Sequence, residues 1–326
     1  MSRPLIDTHH HWVKDFYTKA IEENGGDPSG WTAPEWNLED DRAFNAKYNI
    51  KVAVLSLTAP GACIVKGREG RSKLARQANE HCAKIRDAEP DKYGFFASLP
   101  SLLDKQDALD ELAYALDTLK ADGVTLFTRY GQDNHYLGHP DFKEIWDELD
   151  RREVVVFIHP THPVDTHLVN PGMLQPMLVY PFETTQTAVD MMLNGVIQSH
   201  RKVKVILSHA GGMLPWIVTR PASIWPNDSE EQKKFLDGFK RFYYDTAISL
   251  SPSVLNTLEG FVKSGHLEAD HILFGSDYPY ASRTIISHHT PLLESHDFEL
   301  KEMRDGIAYK NALKLFPRLA QYVKAE

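Results

Sequence analysis

Three consecutive histidines near the start of the chain could bind a metal ion. The apolar pair Leu5-Ile6 indicates a short strand, and His9, His10 and His11 follow shortly after it. Because side chains alternate along a strand, His9 and His11 face one side and His10 faces the other. Two neutral imidazoles on one face are favoured ligands of zinc and similar ions. A tag remnant is the alternative, but a tag would not follow an Ile-Asp strand end.

Three more side chains with metal-binding or acid–base chemistry follow apolar segments far downstream. His159 follows the segment 154–158, His209 follows 204–208, and Asp277 follows 271–276. A single histidine at a strand end is usually structural, but the agreement of several strand ends favours a metal site. Three histidines and one carboxylate leave a position open for water or substrate. His209, in a Ser-His-Ala-Gly-Gly turn, is either a further ligand or a general acid–base residue.

These residues need a scaffold that brings distant strand ends together, and the hydrophobic pattern provides one. Apolar strands are predicted at 5–6, 51–57, 93–99, 123–127, 154–160, 204–209, 242–246 and 271–277. Helical patterns are predicted at 38–48, 70–88, 104–120, 140–151, 183–200, from about 214, at 253–263 and at 300–315. Eight buried strands alternating with helices predict a single-domain (β/α)8 TIM barrel over residues 1–326, with its chemistry at the carboxyl ends of the strands. A doubly wound open sheet is the alternative, but no glycine-rich phosphate turn follows the first strand.

The segment 12–37, after the first strand, is predicted to be an inserted loop region. It is rich in Gly, Pro and Asp, which indicates turns rather than a linker between domains. Trp31 and Trp36 are unusual in such a loop. They either pack the loop onto the barrel or wall a pocket for a flat ligand.

Composition argues against several classes of partner. The net charge of −9, without a basic run, disfavours nucleic acid. No apolar stretch is long enough to cross a membrane, and the first residues lack a signal-peptide pattern. Cys63 and Cys82 do not form a CxxC motif, so a disulfide framework is not expected and a reducing, cytoplasmic compartment is.

The ordered set of motifs resembles the amidohydrolase superfamily over nearly the whole chain. The motifs are Asp7-x-His9-x-His11, His159 after the fifth strand, Ser208-His209-Ala210-Gly211-Gly212, and Phe274-Gly275-Ser276-Asp277-Tyr278-Pro279. Together with Phe182-Glu183-Thr184-Thr185, they resemble the decarboxylase branch, which includes aminocarboxymuconate-semialdehyde and 2-hydroxybenzoate decarboxylases.

This resemblance implies one divalent metal ion per chain, most commonly Zn²⁺, with Mn²⁺ or Mg²⁺ as alternatives. Its ligands would be His9, His11, His159 and Asp277, and His209 would handle protons beside it. Asp277 is the implied proton donor in benzoate members, whereas a water activated by the histidine matching His209 is invoked in the semialdehyde enzyme. Binuclear members carry a lysine at the end of the fourth strand, where this chain has Thr128-Arg129, so one metal is favoured.

The resemblance also implies a substrate and an assembly. Arg220, eleven residues after His209, matches an arginine that reaches into a neighbouring subunit, which implies a homodimer; a surface arginine capping a helix end is the alternative. A second substrate-binding arginine of the semialdehyde enzyme is replaced by Trp31, which favours an aromatic monocarboxylate. The implied reaction is non-oxidative decarboxylation of a 2-hydroxybenzoate, with 6-methylsalicylate as the leading guess.

Candidate ring contacts for such a substrate are Trp31, Trp36, Phe182 and Tyr280, each of which could instead serve in packing. Two other functions are compatible with the same residues. One is a metal-dependent hydrolase or hydratase, such as a lactonase acting on a ring-cleavage product. The other is a metal-binding protein without catalytic activity.

Overall fold

The computed structural model describes residues 3–323 and is built around a barrel of parallel strands. The barrel strands are β1 (Leu5–His11), β2 (Ile50–Ser56), β3 (Tyr93–Ser98), β4 (Gly123–Phe127), β7 (Val155–His159), β8 (Lys204–Leu207), β9 (Tyr243–Asp245) and β10 (Ile272–Leu273). They neighbour one another in chain order. A short antiparallel hairpin, β5 (Arg129–Tyr130) and β6 (His135–Tyr136), follows β4.

The first and last strands meet, which closes the barrel. The backbone N–H of Thr8 donates to the carbonyl of Phe274 at 3.0 Å, and the N–H of Asp277 donates to the carbonyl of His9 at 2.8 Å. An open doubly wound sheet would leave these two edges apart. The predicted (β/α)8 barrel is therefore confirmed.

Helices surround the barrel. They are α1 (Asp15–Glu23), α2 (Leu38–Lys47), α3 (Arg68–Ala88), α4 (Lys105–Ala113), α5 (Lys143–Arg151), α6 (Gln175–Leu193), α7 (Val196–Ser199), α8 (Leu214–Ile217), α9 (Thr219–Ala222), α10 (Glu230–Arg241), α11 (Pro252–Lys263), α12 (Arg283–Ser295), α13 (Glu302–Asp305) and α14 (Asn311–Leu315). No helix among residues 3–323 is both long and apolar enough to span a membrane.

Several helices differ from the sequence prediction. The segment after β1 was expected to be a loop throughout, yet it begins with α1, which buries Tyr17 and Ile21 one helical turn apart. The hairpin β5–β6 and helices α10 and α12 were not predicted. Helix α6 starts eight residues earlier than expected and contains Pro181. A proline lacks the N–H that continues a helix, which is why the pattern favoured the later start.

Strand β1 is buried on both faces, and this decides where its histidines lie. All seven of its residues are buried. One face points into the barrel, where the ring of His9 lies 4.9 Å from that of Phe157. The other face points towards the helices, where the ring of His10 lies 6.0 Å from that of Phe44 in α2. In the barrel interior, the apolar ring of Phe157 thus packs against His9.

Candidate active site

Four buried side chains converge at the carboxyl ends of the barrel strands. Donor atoms of His9, His11, His159 and Asp277 all lie within 4.8 Å of one another. The Nε2 atoms of His9 and His11 are 3.1 Å apart, and they lie 3.3 and 3.2 Å from Oδ1 of Asp277. Metal–ligand bonds of 2.0–2.1 Å in a tetrahedron place ligand atoms roughly 3.3 Å apart. The donor set and its spacing therefore fit one divalent metal ion.

Each histidine of this cluster is oriented by a partner on its other ring nitrogen. The Nδ1 partners are Oδ2 of Asp245 for His9 at 2.9 Å, the carbonyl of Ser56 for His11 at 3.1 Å, and the carbonyl of Pro160 for His159 at 2.7 Å. Such partners fix the tautomer and ring orientation of metal-ligating histidines. They leave each Nε2 atom directed into the cluster.

Burial and charge prepare the cluster for a cation. Burial lowers the pKa of His11, and it lowers the pKa of His159 well below its ordinary value, so both rings are neutral and can donate lone pairs. Burial would also lower the pKa of His9, but the carboxylates of Asp245 and Asp277 outweigh it and raise this pKa to about 10. The two carboxylates thus favour a positive charge at this point, which a metal ion supplies.

Asp245 is a site residue that the sequence analysis missed. It is fully buried at the end of β9, and its Oδ1 atom accepts hydrogen bonds from the backbone N–H groups of His209 and Ala247 at 3.0 and 2.9 Å. Its other oxygen holds His9. The signal was available in the sequence, because a carboxylate ends the seventh strand just as His159 ends the fifth. Asp245 therefore links His9 to the turn that carries His209.

His209 lies beside the four-residue cluster rather than within it. Its backbone φ is 56°, in the left-handed region, and that of Ala210 is 55°. Gly212 ends the turn against α6, where a Cβ atom would lie 2.2 Å from the carbonyl oxygen of Pro181. The Nε2 atom of His209 is 3.7 Å from Oδ2 of Asp277, and neither ring nitrogen has a hydrogen-bond partner within residues 3–323. The strained turn thus presents an imidazole whose two nitrogens are free for a ligand.

A cavity of about 520 Å³ opens at the cluster, and His159, His209 and Asp277 are part of its lining. The rest of the lining combines apolar side chains, such as Pro176, Met177, Ile248 and Ile285, with several polar ones. Of the predicted ring contacts, Trp31 and Tyr280 line this cavity. The ring of Tyr280 packs edge-on against that of His11, with centroids 5.5 Å apart. A largely apolar cavity of this size with a few polar groups suits a small aromatic ligand.

The structure places three other predicted substrate contacts outside this lining. Trp36 instead donates its indole N–H to Oδ2 of Asp41 at 2.9 Å. Phe182 is 51% exposed on α6, and Arg220 is exposed on α9. In contrast, Asp27, which the sequence analysis counted only as a turn residue, lines the cavity.

His10 lies in a separate buried cluster on the opposite face of β1. Its Nδ1 and Nε2 atoms contact Oδ2 of Asp7 at 3.0 Å and Oδ2 of Asp41 at 2.9 Å. Tyr93 and Trp36 also donate to Asp41. Both ring nitrogens of His10 therefore have acidic partners, and among residues 3–323 His10 does not belong to a group of side chains that could hold a metal ion.

Comparisons with a family model and with known proteins point to the same family, and each match covers nearly the whole chain. A family model described as Amidohydrolase matches residues 6–318. The chain is 49% identical over 325 residues to a 6-methylsalicylic acid decarboxylase of Aspergillus aculeatus, and 46% identical over 320 residues to one of Penicillium expansum. Each alignment covers 96% of this chain and 96% of the relative.

A solved structure shows the same fold. It is a dihydroxybenzoic acid decarboxylase of Polaromonas with bound manganese and the inhibitor 2-nitroresorcinol. The TM-score is 0.80 at 21% sequence identity, and the match covers 99% of this chain and 100% of the other.

Proposed function

The chain belongs to the amidohydrolase family, and we propose that it is a metal-dependent, non-oxidative decarboxylase of a 2-hydroxybenzoate, with 6-methylsalicylate as the leading substrate. The observation that carries this proposal is the buried three-histidine, one-carboxylate cluster, two of whose members, His159 and Asp277, line a largely apolar cavity. It occurs in a chain that is 49% identical to a 6-methylsalicylic acid decarboxylase.

His9, His11, His159 and Asp277 would hold one divalent metal ion. Zn²⁺ is the first choice because three imidazole nitrogens and one carboxylate oxygen are among its preferred ligands, and Mn²⁺ or Mg²⁺ is the alternative. When bound, the metal supplies positive charge that attracts the substrate carboxylate and its neighbouring phenolic oxygen.

The side chains of the chain itself orient the ring and move the proton. Trp31 and Tyr280 line the cavity and would contact the ring. His209, with both ring nitrogens unpartnered, would deliver a proton to the ring carbon that bears the carboxylate. The new C–H bond forms at that carbon. Its bond to the carboxylate then breaks and returns the electron pair to the ring, so that carbon dioxide leaves and aromaticity is restored.

The test combines metal analysis with a product assay on the purified protein. We expect about one metal ion per chain, and equal amounts of carbon dioxide and 3-methylphenol from 6-methylsalicylate. A His209→Asn variant should keep its metal while kcat falls by roughly 10²–10⁴-fold, the usual contribution of a general acid. Lactone hydrolysis without carbon dioxide release would instead establish the hydrolase alternative.

We further propose a homodimer in which Arg220 of one subunit serves the cavity of the other. Arg220 is exposed and forms no ion pair within residues 3–323, and no arginine or lysine of the described chain lines its own cavity. Exposed apolar side chains occur in the same part of the chain, including Phe182 on α6 and Trp216 on the adjoining α8. Apolar patches of this kind are typical of protein interfaces.

Mixing two inactive variants tests the shared site. If Arg220→Met and His209→Asn are each inactive, refolding an equal mixture should restore activity, because a mixed dimer contains one cavity with both native residues. A monomer in analytical ultracentrifugation, or a mixture that stays inactive, would contradict the shared site.

Two other sequence predictions remain proposals. One compact domain over residues 1–326 should resist limited proteolysis without leaving a stable fragment. A reducing, cytoplasmic location accords with Cys63 and Cys82, which are both unpaired. Cell fractionation measures this location directly.

A further inference from the structure

The distribution of charge in the cavity is unusual for a site that takes acids. No arginine or lysine of residues 3–323 lines it, and its two carboxylates are Asp277, at the metal cluster, and Asp27. Within one chain, the cations that a bound acid would face are therefore a metal ion at the cluster and the proton-donating His209 beside it. Away from the cluster, Asp27 is the residue of the cavity lining whose side chain can carry a charge.

Asp27 is held in place by its own turn. Its Oδ1 atom accepts a hydrogen bond from the backbone N–H of Ser29 at 2.8 Å, and its backbone carbonyl accepts one from the N–H of Gly30 at 3.0 Å. The carbonyl of Ser29 in turn accepts a hydrogen bond from the N–H of Gln175 at the start of α6. No cation pairs with the Asp27 carboxylate within residues 3–323. The turn thus fixes an unneutralised acid at the cavity wall.

Asp27 lines the same cavity as the candidate ring contacts Trp31 and Tyr280. Its charge adds to burial in raising the pKa of Tyr180 and Tyr280, both of which line the cavity. The hydroxyl of Tyr280 is buried and has no hydrogen-bond partner within residues 3–323. Burial also raises the pKa of Asp27 itself. A ligand bound at the cluster and against Tyr280 therefore comes within electrostatic reach of Asp27.

We propose that Asp27 determines substrate specificity: its carboxylate accepts an uncharged hydrogen-bond donor on the ring and excludes a second acidic group. This inference rests on the proposed binding of an aromatic carboxylate at the metal cluster. The first carboxylate of the substrate has the metal as its counter-charge, whereas a second one would meet Asp27, with which no cation of the same chain pairs among residues 3–323. Two unpaired anions in an enclosed apolar site repel strongly, while a hydroxyl gains a charge-assisted hydrogen bond. The favoured substrates are aromatic monocarboxylates with neutral or hydroxyl substituents.

The test compares binding of matched ligand pairs to the metal-loaded protein by titration calorimetry. The pairs are 2-hydroxybenzoate with phthalate, 3-hydroxybenzoate with isophthalate, and 4-hydroxybenzoate with terephthalate, so that a hydroxyl and a carboxylate occupy each ring position in turn. Asp27→Asn is the variant, because the amide oxygen still accepts from the N–H of Ser29 while the charge is lost. Asp15→Asn, on the exposed start of α1, is the control with the same change in net charge.

In the wild type, we expect the hydroxybenzoate of at least one pair to bind roughly tenfold or more tightly than its dicarboxylate, the size expected of a charged hydrogen bond. Asp27→Asn should narrow that ratio to below about threefold, and Asp15→Asn should leave it unchanged. Equal wild-type affinities in all three pairs, or an unchanged ratio in a folded Asp27→Asn variant, would overturn the role of Asp27. Carbon dioxide release from 6-methylsalicylate is measured separately, so selective binding without release would refute only the proposed reaction.

Discussion

Two adjacent histidines of β1, His9 and His10, lie in two buried clusters on opposite faces of the same strand. His9 points into the barrel, where its Nε2 atom lies 3.1 Å from that of His11 and 3.3 Å from Oδ1 of Asp277. His10 points outward, and its two nitrogens contact the carboxylates of Asp7 and Asp41. The two residues have the same chemistry and the same depth of burial, but different neighbours.

The different neighbours of His9 and His10 show which of the two buried histidines is available for a ligand. In the outer cluster each ring nitrogen of His10 has an acidic partner, so a proton on this ring offsets one of the two carboxylate charges. In the inner cluster His9, His11 and His159 direct nitrogen atoms towards one another and towards a single carboxylate oxygen. A cation at the centre stabilises that arrangement, because lone pairs that face one another repel. The inner cluster therefore has the geometry of a metal site, whereas the outer cluster has acidic partners around a single histidine.

The largest effect is expected from Asp277→Asn. The amide removes the ligand charge that faces His9 and His11, so the variant should bind less than about 0.1 metal ion per chain and lose at least roughly 10³-fold in kcat/KM. Elemental analysis and the carbon dioxide assay measure the two effects. A variant that kept its metal and its activity would remove Asp277 from the ligand set.

His10→Leu should destabilise the fold without emptying the inner site. Loss of the imidazole leaves the buried carboxylates of Asp7 and Asp41 without their shared partner, which costs about 3–5 kcal/mol in the free energy of unfolding. Urea denaturation measures this loss. The metal content of the folded fraction should stay at the wild-type value, and a loss of metal would show that the two faces of β1 are coupled.

Asp245→Asn tests how the inner cluster depends on the partner behind His9. Substituting such a partner typically weakens metal binding about 10–100-fold. Competition with a chelator of known affinity measures the change. Affinity equal to that of the wild type would mean that the hydrogen bond to Asp245 does not orient His9.

His10 on the outer face should also make stability depend on pH. Burial alone would lower the pKa of His10, but Asp41 and Asp7 outweigh it and raise this pKa to about 10. A folded-state pKa above the unfolded value near 6.5 means that the stabilisation is complete below pH 6.5 and is lost as pH rises towards 10. The difference in unfolding free energy between wild type and His10→Leu should therefore shrink between pH 6 and pH 10. A constant difference would show that His10 is neutral in the folded protein.

The smallest effect is expected from Trp36→Phe, which removes the indole N–H that donates to Asp41. One hydrogen bond contributes about 1 kcal/mol to stability, or somewhat more to a charged group. KM should stay unchanged because Trp36 lies outside the cavity lining. Trp31→Phe is the matched control within the lining, where KM should rise while the unfolding free energy changes little. A raised KM in Trp36→Phe would show that Trp36 contacts the substrate after all.

Much of the barrel could be predicted from the sequence because its signals are local. Continuous apolar runs at regular spacing indicate buried parallel strands, and polar residues at their ends identify His159, His209 and Asp277 in advance. Alternation along β1 separates His9 and His11 from His10. These inferences need only the two-residue period of a strand and the polar or apolar character of each side chain. The helices α1 and α12 were missed because turn residues and an internal proline hide their amphipathic pattern.

Residue types and strand ends in the sequence alone determined the fold class and the candidate ligands of this protein. Tertiary structure decided the rest: that Asp245 holds His9, that Trp31 but not Trp36 faces the cavity, and that Asp27 lies at its wall. Each of these depends on which atoms meet across segments distant in the chain. The periodicity of a local segment does not show which distant residues are in contact, because the closure of the barrel and the packing of its loops set the distances between them.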